Sequence, residues 1–477
     1  MKPVICPLVV LVILVQCECR VLDSRSGLFD SLSKDQKSSE EEDLNKRNFL
    51  IVVSFDGFRN EYLKRGVTPN LLRFQEQGVH APYMKNVFPT KTFTNHHSIS
   101  TGSYPKHHGV LGNEVYDKVK GKLKYGYDLF HLNQSVLPIW TMNQLAGGKS
   151  GCMMWPGSNY EYSGIKCSYN QNYSADVPLM GRVDTMIEWL TKEKDPPNLV
   201  MFYSEQPDKL AHVVGPEAQN ITDMVAHLDQ VTGYIQKQLE LHNLSSRANV
   251  VHLSDHGMAE VKPPGFINLT DIIAPFQYDY YGTSPVLQIV PKDLSQTTDI
   301  YNKLNKASED LKNFKVYTKD NILPKWHMYN EQRFGPIVVV AEENYAFDDM
   351  WVFAKIYEEK LNVPLTNDSD YGVHGYDNDD ELMHALFMAK GVDFKTSSKI
   401  EVFESVELLE LFAKILNINT TEIRLKHSSN DDVSITIKYF QKIPNGTVAL
   451  LVILSLLIVA VMVFAVINYR KRRNYNL

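Results

Sequence analysis

From Phe49 onward the chain alternates between short apolar runs and longer amphipathic stretches, and this alternation limits the folds open to it more than any other feature. The runs "FLIVVSF", "NLVMFYS", "NVVHLS", "PVLQIV" and "PIVVVA" are nearly continuous in apolar residues and rich in β-branched ones. Strands read this way when both faces are covered. Helical periodicity lies between several of them: over 221–241, Met224, Val225, Leu228, Val231, Ile235 and Leu239 share one face. Strands alternating with helices predict an α/β fold with a mainly parallel central sheet flanked by helices on both faces. No internal repeat is evident.

Ligands of such sheets gather beyond the carboxyl ends of the strands, and there this sequence places acids and imidazoles. "LIVVSFDG" runs into Asp56, "LVMFYSEQPDKLAH" into Asp208 and His212, and "VVHLSDHG" into Asp255 and His256, while "YGVHGYDN" offers His374 between glycines. Asp208 and His212, four residues apart, fall on one side of a helical turn and can share a cation. A mixed carboxylate and imidazole set suits zinc. Singly, each residue reads equally as a turn former, a helix cap or a polar loop contact. The stretch "NVFPTKTFTNHHSISTG" (86–102) has two readings as well: a polar loop with helix-capping threonines, or a carrier of the nucleophile Thr92, whose hydroxyl loses its proton near neutral pH only beside a metal. His96, His97, His107 and His108 are expected as polar loop contacts near this site, and Asp377 and Asn378 as partners that orient His374.

The ends of the chain are of a different kind. Lys2 precedes an apolar run from Leu8 to Val15 that is too short to span a bilayer, the layout of a secretory signal over 1–19. A polar, disordered linker is expected over 20–47, then a folded region over 48–435 and a juxtamembrane segment over 436–446. Residues 447–467 are apolar apart from Thr447 and Ser455 and long enough to cross a membrane as a helix, and "RKRR" in the tail 468–477 marks the cytoplasmic side. The expected topology is single-pass type I at the cell membrane, with the folded region extracellular. Eight Asn-x-Ser/Thr acceptors, at Asn133, Asn172, Asn220, Asn243, Asn268, Asn367, Asn419 and Asn445, suit that compartment. So does a disulfide between Cys152 and Cys167, which remain once Cys6, Cys17 and Cys19 are assigned to the signal region. A net charge of −7 and the absence of a basic stretch inside the chain argue against binding a nucleic-acid polymer.

Seven segments, in the order "SFDGFR", "TKTFTNH", "GVLGNEVYD", "MMWPG", "PDKLAH", "SDHGM" and "GVHGYDN", resemble the ecto-nucleotide pyrophosphatase/phosphodiesterase family of the alkaline phosphatase superfamily. The likeness runs from about Phe49 to beyond Phe394, and is greatest to short type I membrane-anchored members with a catalytic domain alone. It implies an alkaline phosphatase-like fold, with 48–435 as the catalytic domain, and two zinc ions. One would be held by Asp208, His212 and His374, the other by Asp56, Asp255, His256 and the hydroxyl of Thr92. It further implies Thr92 as nucleophile, Asn113 as a holder of the phosphoryl oxygens, and Phe93 and Tyr173 as the pair that sandwiches a nucleobase. The implied reaction is hydrolysis of nucleoside polyphosphates, dinucleoside polyphosphates and NAD-like pyrophosphates to nucleoside 5′-monophosphates through a threonine-linked intermediate. Its rivals are a choline-phosphodiester or lysophospholipid hydrolase of the same superfamily, and a catalytically silent surface glycoprotein. Two positions depart from the family pattern: Thr94 stands where proline is usual, and Ala211 where glycine is.

Overall fold

The run "FLIVVSF" is the central strand, β1 (Phe49–Phe55), and every one of its seven residues is buried. This computed structural model describes residues 48–427 apart from 193 and 363, together with Leu28. The expected signal, the juxtamembrane segment, the membrane helix and the tail lie outside the described residues, as does the linker except for Leu28, which is buried in the main core. No helix among the described residues is long and apolar enough to cross a membrane. The chain divides into residues 1–424 and 425–477, and the first unit carries everything that follows.

After β1 come α1 (Pro69–Gln77), β2 (Val79–His80), α2 (Thr92–Thr101), a hairpin of β3 (Val115–Asp117) and β4 (Gly121–Leu123), and α3 (Ile139–Leu145). Next are β5 (Ser150–Met153), β6 (Tyr169–Gln171), α4 (Leu179–Thr191), β7 (Leu199–Ser204), α5 (Asp208–Val214), α6 (Gln219–Leu241) and β8 (Ala248–Leu253). A second group follows: β9 (Tyr278–Thr283), β10 (Val286–Pro291), α7 (Thr297–Leu311), β11 (Phe314–Tyr317), β12 (Ile337–Ala341) and α8 (Met350–Leu361). The chain then returns with β13 (Phe387–Gly391), β14 (Ser398–Lys399) and α9 (Leu408–Ile415).

The central sheet has the order β14-β2-β13-β8-β1-β7-β5-β6. β8, β1, β7, β5 and β6 run parallel, with Val53 of β1 opposite both Phe202 and His252. β13 pairs antiparallel to β8. Helices α1, α4 and α6 pack together against the sheet, as do α2, α3 and α9. Helix α6 buries Ile221, Val225, Leu228, Val231, Ile235 and Leu239 and leaves Met224 half-buried, each fully buried aliphatic side chain contributing about 1.5–3 kcal/mol. Cys152 in β5 is bonded to Cys167.

Two of the expected parallel-type strands lie elsewhere. "PVLQIV" and "PIVVVA" are β10 and β12 of a separate four-stranded antiparallel sheet, β9-β10-β12-β11, with its own core of Leu287, Ile289, Ile300, Leu304, Phe314, Ile337 and Val339. A run of apolar residues reports that both faces are covered, and carries no information about the direction of its neighbour. The stretch 86–102 also differs from a polar loop: from Thr92 it is helix α2, buried along almost its whole length. Much of its polar surface is paired, although Thr94 Oγ1 and both ring nitrogens of His97 have no hydrogen-bond partner among the described residues. The Asn95 side chain accepts from Val87 N–H and donates to the carbonyls of Val87, Pro89 and Lys91, tying the approach loop to the first turn.

Candidate active site

Three adjacent parallel strands, β8, β1 and β7, end side by side, and each delivers an acid at its carboxyl end: Asp255 with His256, Asp56, and Asp208 on the first turn of α5. His374 arrives from another direction. Residues 371–373 pair antiparallel with 259–261, just past His256, and carry the following histidine over the strand ends. The glycine behind Asp56 is required: Gly57 has φ +67°, a Cβ there would lie 2.8 Å from Cβ of Asp208, and its N–H donates to Asp255 Oδ1 at 3.1 Å.

The side chains gather in two adjoining groups. In one, Asp208 Oδ1 is 3.3 Å from His212 Nε2 and 3.4 Å from His374 Nε2. In the other, His256 Nε2 is 3.4 Å from Asp56 Oδ1 and 3.0 Å from Asp255 Oδ2. The rings of His256 and His374 stack at 3.6 Å and join the two. The hydroxyl of Thr92, first residue of α2, lies 3.4 Å from His256 Nε2 and accepts from Asn113 Nδ2 at 3.4 Å. Asn113 Oδ1 in turn accepts from Phe93 N–H at 2.9 Å, which fixes the amide with its donor towards Thr92.

The hydrogen bonds behind these groups test whether the cluster suits a cation. His212, His374 and His256 each place Nδ1 on a backbone carbonyl, of Gly372 at 2.7 Å, Thr90 at 2.8 Å and Gly257 at 2.8 Å. A carbonyl only accepts, so Nδ1 carries the proton and the Nε2 lone pair faces the cluster. Asp56 Oδ2 accepts from the Tyr203 hydroxyl at 2.5 Å. That leaves Asp56 Oδ1, Asp208 Oδ1 and Asp255 Oδ2 buried with no hydrogen-bond partner among the described residues. Three orphaned carboxylate oxygens facing three imidazole lone pairs would be costly by themselves, and they form oxygen and nitrogen donor sets fit for divalent zinc-like cations.

The acids and imidazoles also perturb one another: burial acts to lower His256, but the Asp255 carboxylate raises it. Burial, with the charges of Asp255 and Asp208, pushes the Asp56 carboxyl well above the usual carboxylate range, against the pull of the Tyr203 hydroxyl. Burial acts to raise Asp255 too, but the imidazoles of His256 and His96 hold it well below that range. Burial, then His256, Lys91 and His212, keeps His374 neutral. Next to Thr92, Lys91 is brought down to about 8 by burial, and its ammonium donates to Ser284 O at 2.6 Å.

Two participants were not legible as such. His96 is no loop contact: one helical turn after Thr92, its Nδ1 meets Thr92 O at 2.9 Å and lies 3.2 Å from Asp255 Oδ2, and its Nε2 meets Ser54 Oγ at 2.9 Å. It ties the Thr92 turn to β1 and to Asp255, and its four-residue spacing from Thr92 was the available signal. Tyr203, within an apolar run, gave none. His97 and His108 are buried away from the cluster, His108 against Ser98 Oγ at 2.8 Å, and His107 is exposed. Asp377 and Asn378 do not orient His374, whose partner is Thr90; Asp377 instead pairs with Lys325 at 2.8 Å, and the buried Asn378 donates to Asn86 O at 2.8 Å. Phe93 packs against Tyr125 at 5.0 Å and Phe130 at 6.0 Å. Tyr173 is 52% exposed, and among the described residues it makes no ring contact with Phe93.

Known proteins resemble this chain in sequence and fold. A family model described as type I phosphodiesterase/nucleotide pyrophosphatase matches residues 50–377. A bis(5′-adenosyl)-triphosphatase of Xenopus laevis is 35% identical over 77% of this chain and 78% of its own length. The human ectonucleotide pyrophosphatase/phosphodiesterase family member 5 is 32% identical over 77% and 74%. A solved structure of the murine ectonucleotide pyrophosphatase/phosphodiesterase 5, an inactive form in complex with AMP, superposes with TM-score 0.71 at 32% identity, over 78% of this chain and 96% of that one. A match of this extent, on a chain whose strand-end acids and histidines converge beside a helix-terminal threonine, makes it a member of the type I phosphodiesterase/nucleotide pyrophosphatase family, hydrolases of phosphoric ester and anhydride bonds.

Proposed function

We propose that this chain hydrolyses extracellular nucleotides at the phosphate nearest the nucleoside, releasing a nucleoside 5′-monophosphate through a phosphoryl bond to Thr92. The observation that carries the reading is the set of buried donor atoms left free around the Thr92 hydroxyl. Asp208, His212 and His374 would hold one zinc ion, and Asp56, Asp255, His256 and Thr92 the other. When bound, these ions supply positive charge that favours the Thr92 alkoxide and offsets charge on the phosphoryl oxygens.

The chain contributes the rest. Thr92 opens a ten-residue helix, so its oxygen lies at the positive end of the helix dipole, where an alkoxide is favoured. Asn113 Nδ2 donates towards the same point and can follow a phosphoryl oxygen as charge builds there. Phe93 and Tyr173 would flank the base. Thr92 Oγ bonds to phosphorus as the bond to the leaving phosphate breaks; water then displaces Thr92, whose oxygen recovers a proton. The likeness to a bis(5′-adenosyl)-triphosphatase and to a protein solved with AMP supports nucleotides over choline phosphodiesters. The proposal extends to a cell-surface enzyme held by the span 447–467, supported by that apolar run, the basic residues after it and the acceptor sequons.

Thr92→Ala in the full-length chain is expected to abolish hydrolysis of p-nitrophenyl thymidine monophosphate while leaving the thermal melt nearly unchanged. Chelation should silence the wild type and added zinc restore it. Turnover of the variant at the wild-type rate would rule out Thr92 as nucleophile, and preference for p-nitrophenyl phosphorylcholine would redirect the substrate.

A further inference from the structure

Residues 90–92 form a short strap whose side chains reach three different parts of the molecule. Thr90 O accepts from His374 Nδ1 at 2.8 Å and Thr90 Oγ1 donates to Tyr376 O at 3.0 Å, which fastens the strap to the segment carrying His374. Thr92 opens α2 and faces His256. Lys91, between them, reaches the other sheet: its ammonium donates at 2.6 Å to O of Ser284, in the turn between β9 and β10. Gly375, next to His374, makes room for this reach, since a Cβ there would lie 2.6 Å from Lys91 Cε and 2.7 Å from Pro285 Cδ. Strap, His374 segment and hairpin turn thus meet on one lysine side chain.

Ser284 is itself fixed. Its N–H donates to Asp349 Oδ2 at 2.9 Å, its hydroxyl donates to Asp349 Oδ1, and Phe347 N–H donates to that hydroxyl at 2.8 Å. Lys91, Ser284 and Asp349 are all buried. A buried ammonium is costly unless its charge is balanced. Here it meets a carbonyl, and the balancing charge of Asp349 stands behind the residue that owns that carbonyl. The ammonium also lies within electrostatic reach of Asp208 and His374. Its positive charge opposes a cation held by Asp208, His212 and His374, so metal binding does not account for its place.

We propose that Lys91 is a positioning residue for the Thr92 reaction: through Ser284 it clamps the four-stranded sheet to the strap 90–92 and holds Thr92 and His374 in register. That sheet then belongs to the catalytic frame, although among the described residues it supplies none of the grouped acids and histidines. The inference rests on the proposed function, since it takes Thr92 as the nucleophile.

The test measures kcat, KM and zinc affinity of the full-length chain with p-nitrophenyl thymidine monophosphate. Lys91→Met keeps an unbranched stem and removes the ammonium. Its kcat at saturating zinc is expected to fall about 10–100-fold, the cost of about 1 Å of misplacement, with KM little changed and zinc affinity unchanged or tighter. Asp349→Asn, which loosens Ser284 without altering the strap, should lower kcat by a smaller factor and serves where Lys91→Met does not fold. Wild-type kcat in a folded variant, or zinc affinity that falls in step with activity, overturns the assignment. Turnover retained in Thr92→Ala overturns the functional reading and this inference with it; an inactive Thr92→Ala beside a fully active Lys91→Met overturns this inference alone.

Discussion

Tyr203→Phe removes one oxygen atom, yet its effect should reach the metal site. The phenol, 8% exposed, donates to Asp56 Oδ2 at 2.5 Å, and that bond leaves Oδ1 alone to face the cluster. Without it a second buried carboxylate oxygen has no partner, a cost of about 1–3 kcal/mol. Loss of such an outer partner typically weakens metal binding about 10–100-fold, and the two figures agree, since each tenfold step is about 1.4 kcal/mol. The cavity left by a hydroxyl is small, so the metal-free protein should lose no more than that ~1–3 kcal/mol, about a few degrees in its melt. The assay is competition for zinc against a chromophoric chelator, with activity measured at limiting and saturating zinc. Affinity should fall by one to two orders of magnitude, with most activity recovered at saturating zinc. Unchanged zinc affinity would refute the idea that Tyr203 positions Asp56 as a ligand.

Gly57→Ala should be worse than its size suggests, because the new Cβ meets Asp208 Cβ at 2.8 Å on backbone at positive φ; a loss of about 1–3 kcal/mol together with loss of zinc binding is expected, and a variant with normal zinc affinity would contradict the close approach. His252 makes a pH prediction away from the site. It is buried between Phe55 and Phe74, neither ring nitrogen has a hydrogen-bond partner among the described residues, and burial lowers it to about 3. The unfolded chain therefore binds the extra proton first, so stability falls as pH drops below the unfolded value near 6.5 and continues falling until about 3. His252→Phe should remove about 2 kcal/mol of the stability lost between pH 6.5 and 5, read by denaturant unfolding at the two pH values; parallel curves for wild type and variant would count against it.

What could be read in advance follows from where each residue's role is encoded. The strand-end position of Asp56, Asp208 and Asp255 is local: an apolar run stops, and an acid within the next four residues stands at the rim of a parallel sheet. The stripe on α6 is local as well, and all but Met224 of the expected face is buried. The direction of β10 and β12 is not, since it depends on which strands they meet, and those lie across a hairpin and a helix. The anchoring of His374 by Thr90 spans 284 residues, and that of Asp56 by Tyr203 spans 147. Asp377 and Asn378 were nearer in sequence to His374 but are held by Lys325 and by Asn86 O instead. Proximity along the chain was a poor guide for His212 and His374, whose backbone carbonyl partners lie 160 and 284 residues away, because every residue carries a carbonyl, whereas His256 meets that of the next residue.

The most direct measurement is anomalous scattering at the zinc edge from crystals of the zinc-loaded protein. Two peaks are expected, one among Asp208, His212 and His374 and the other among Asp56, Asp255, His256 and Thr92. A single peak, or density away from these side chains, would contradict the assignment of two cations to these two sets of side chains.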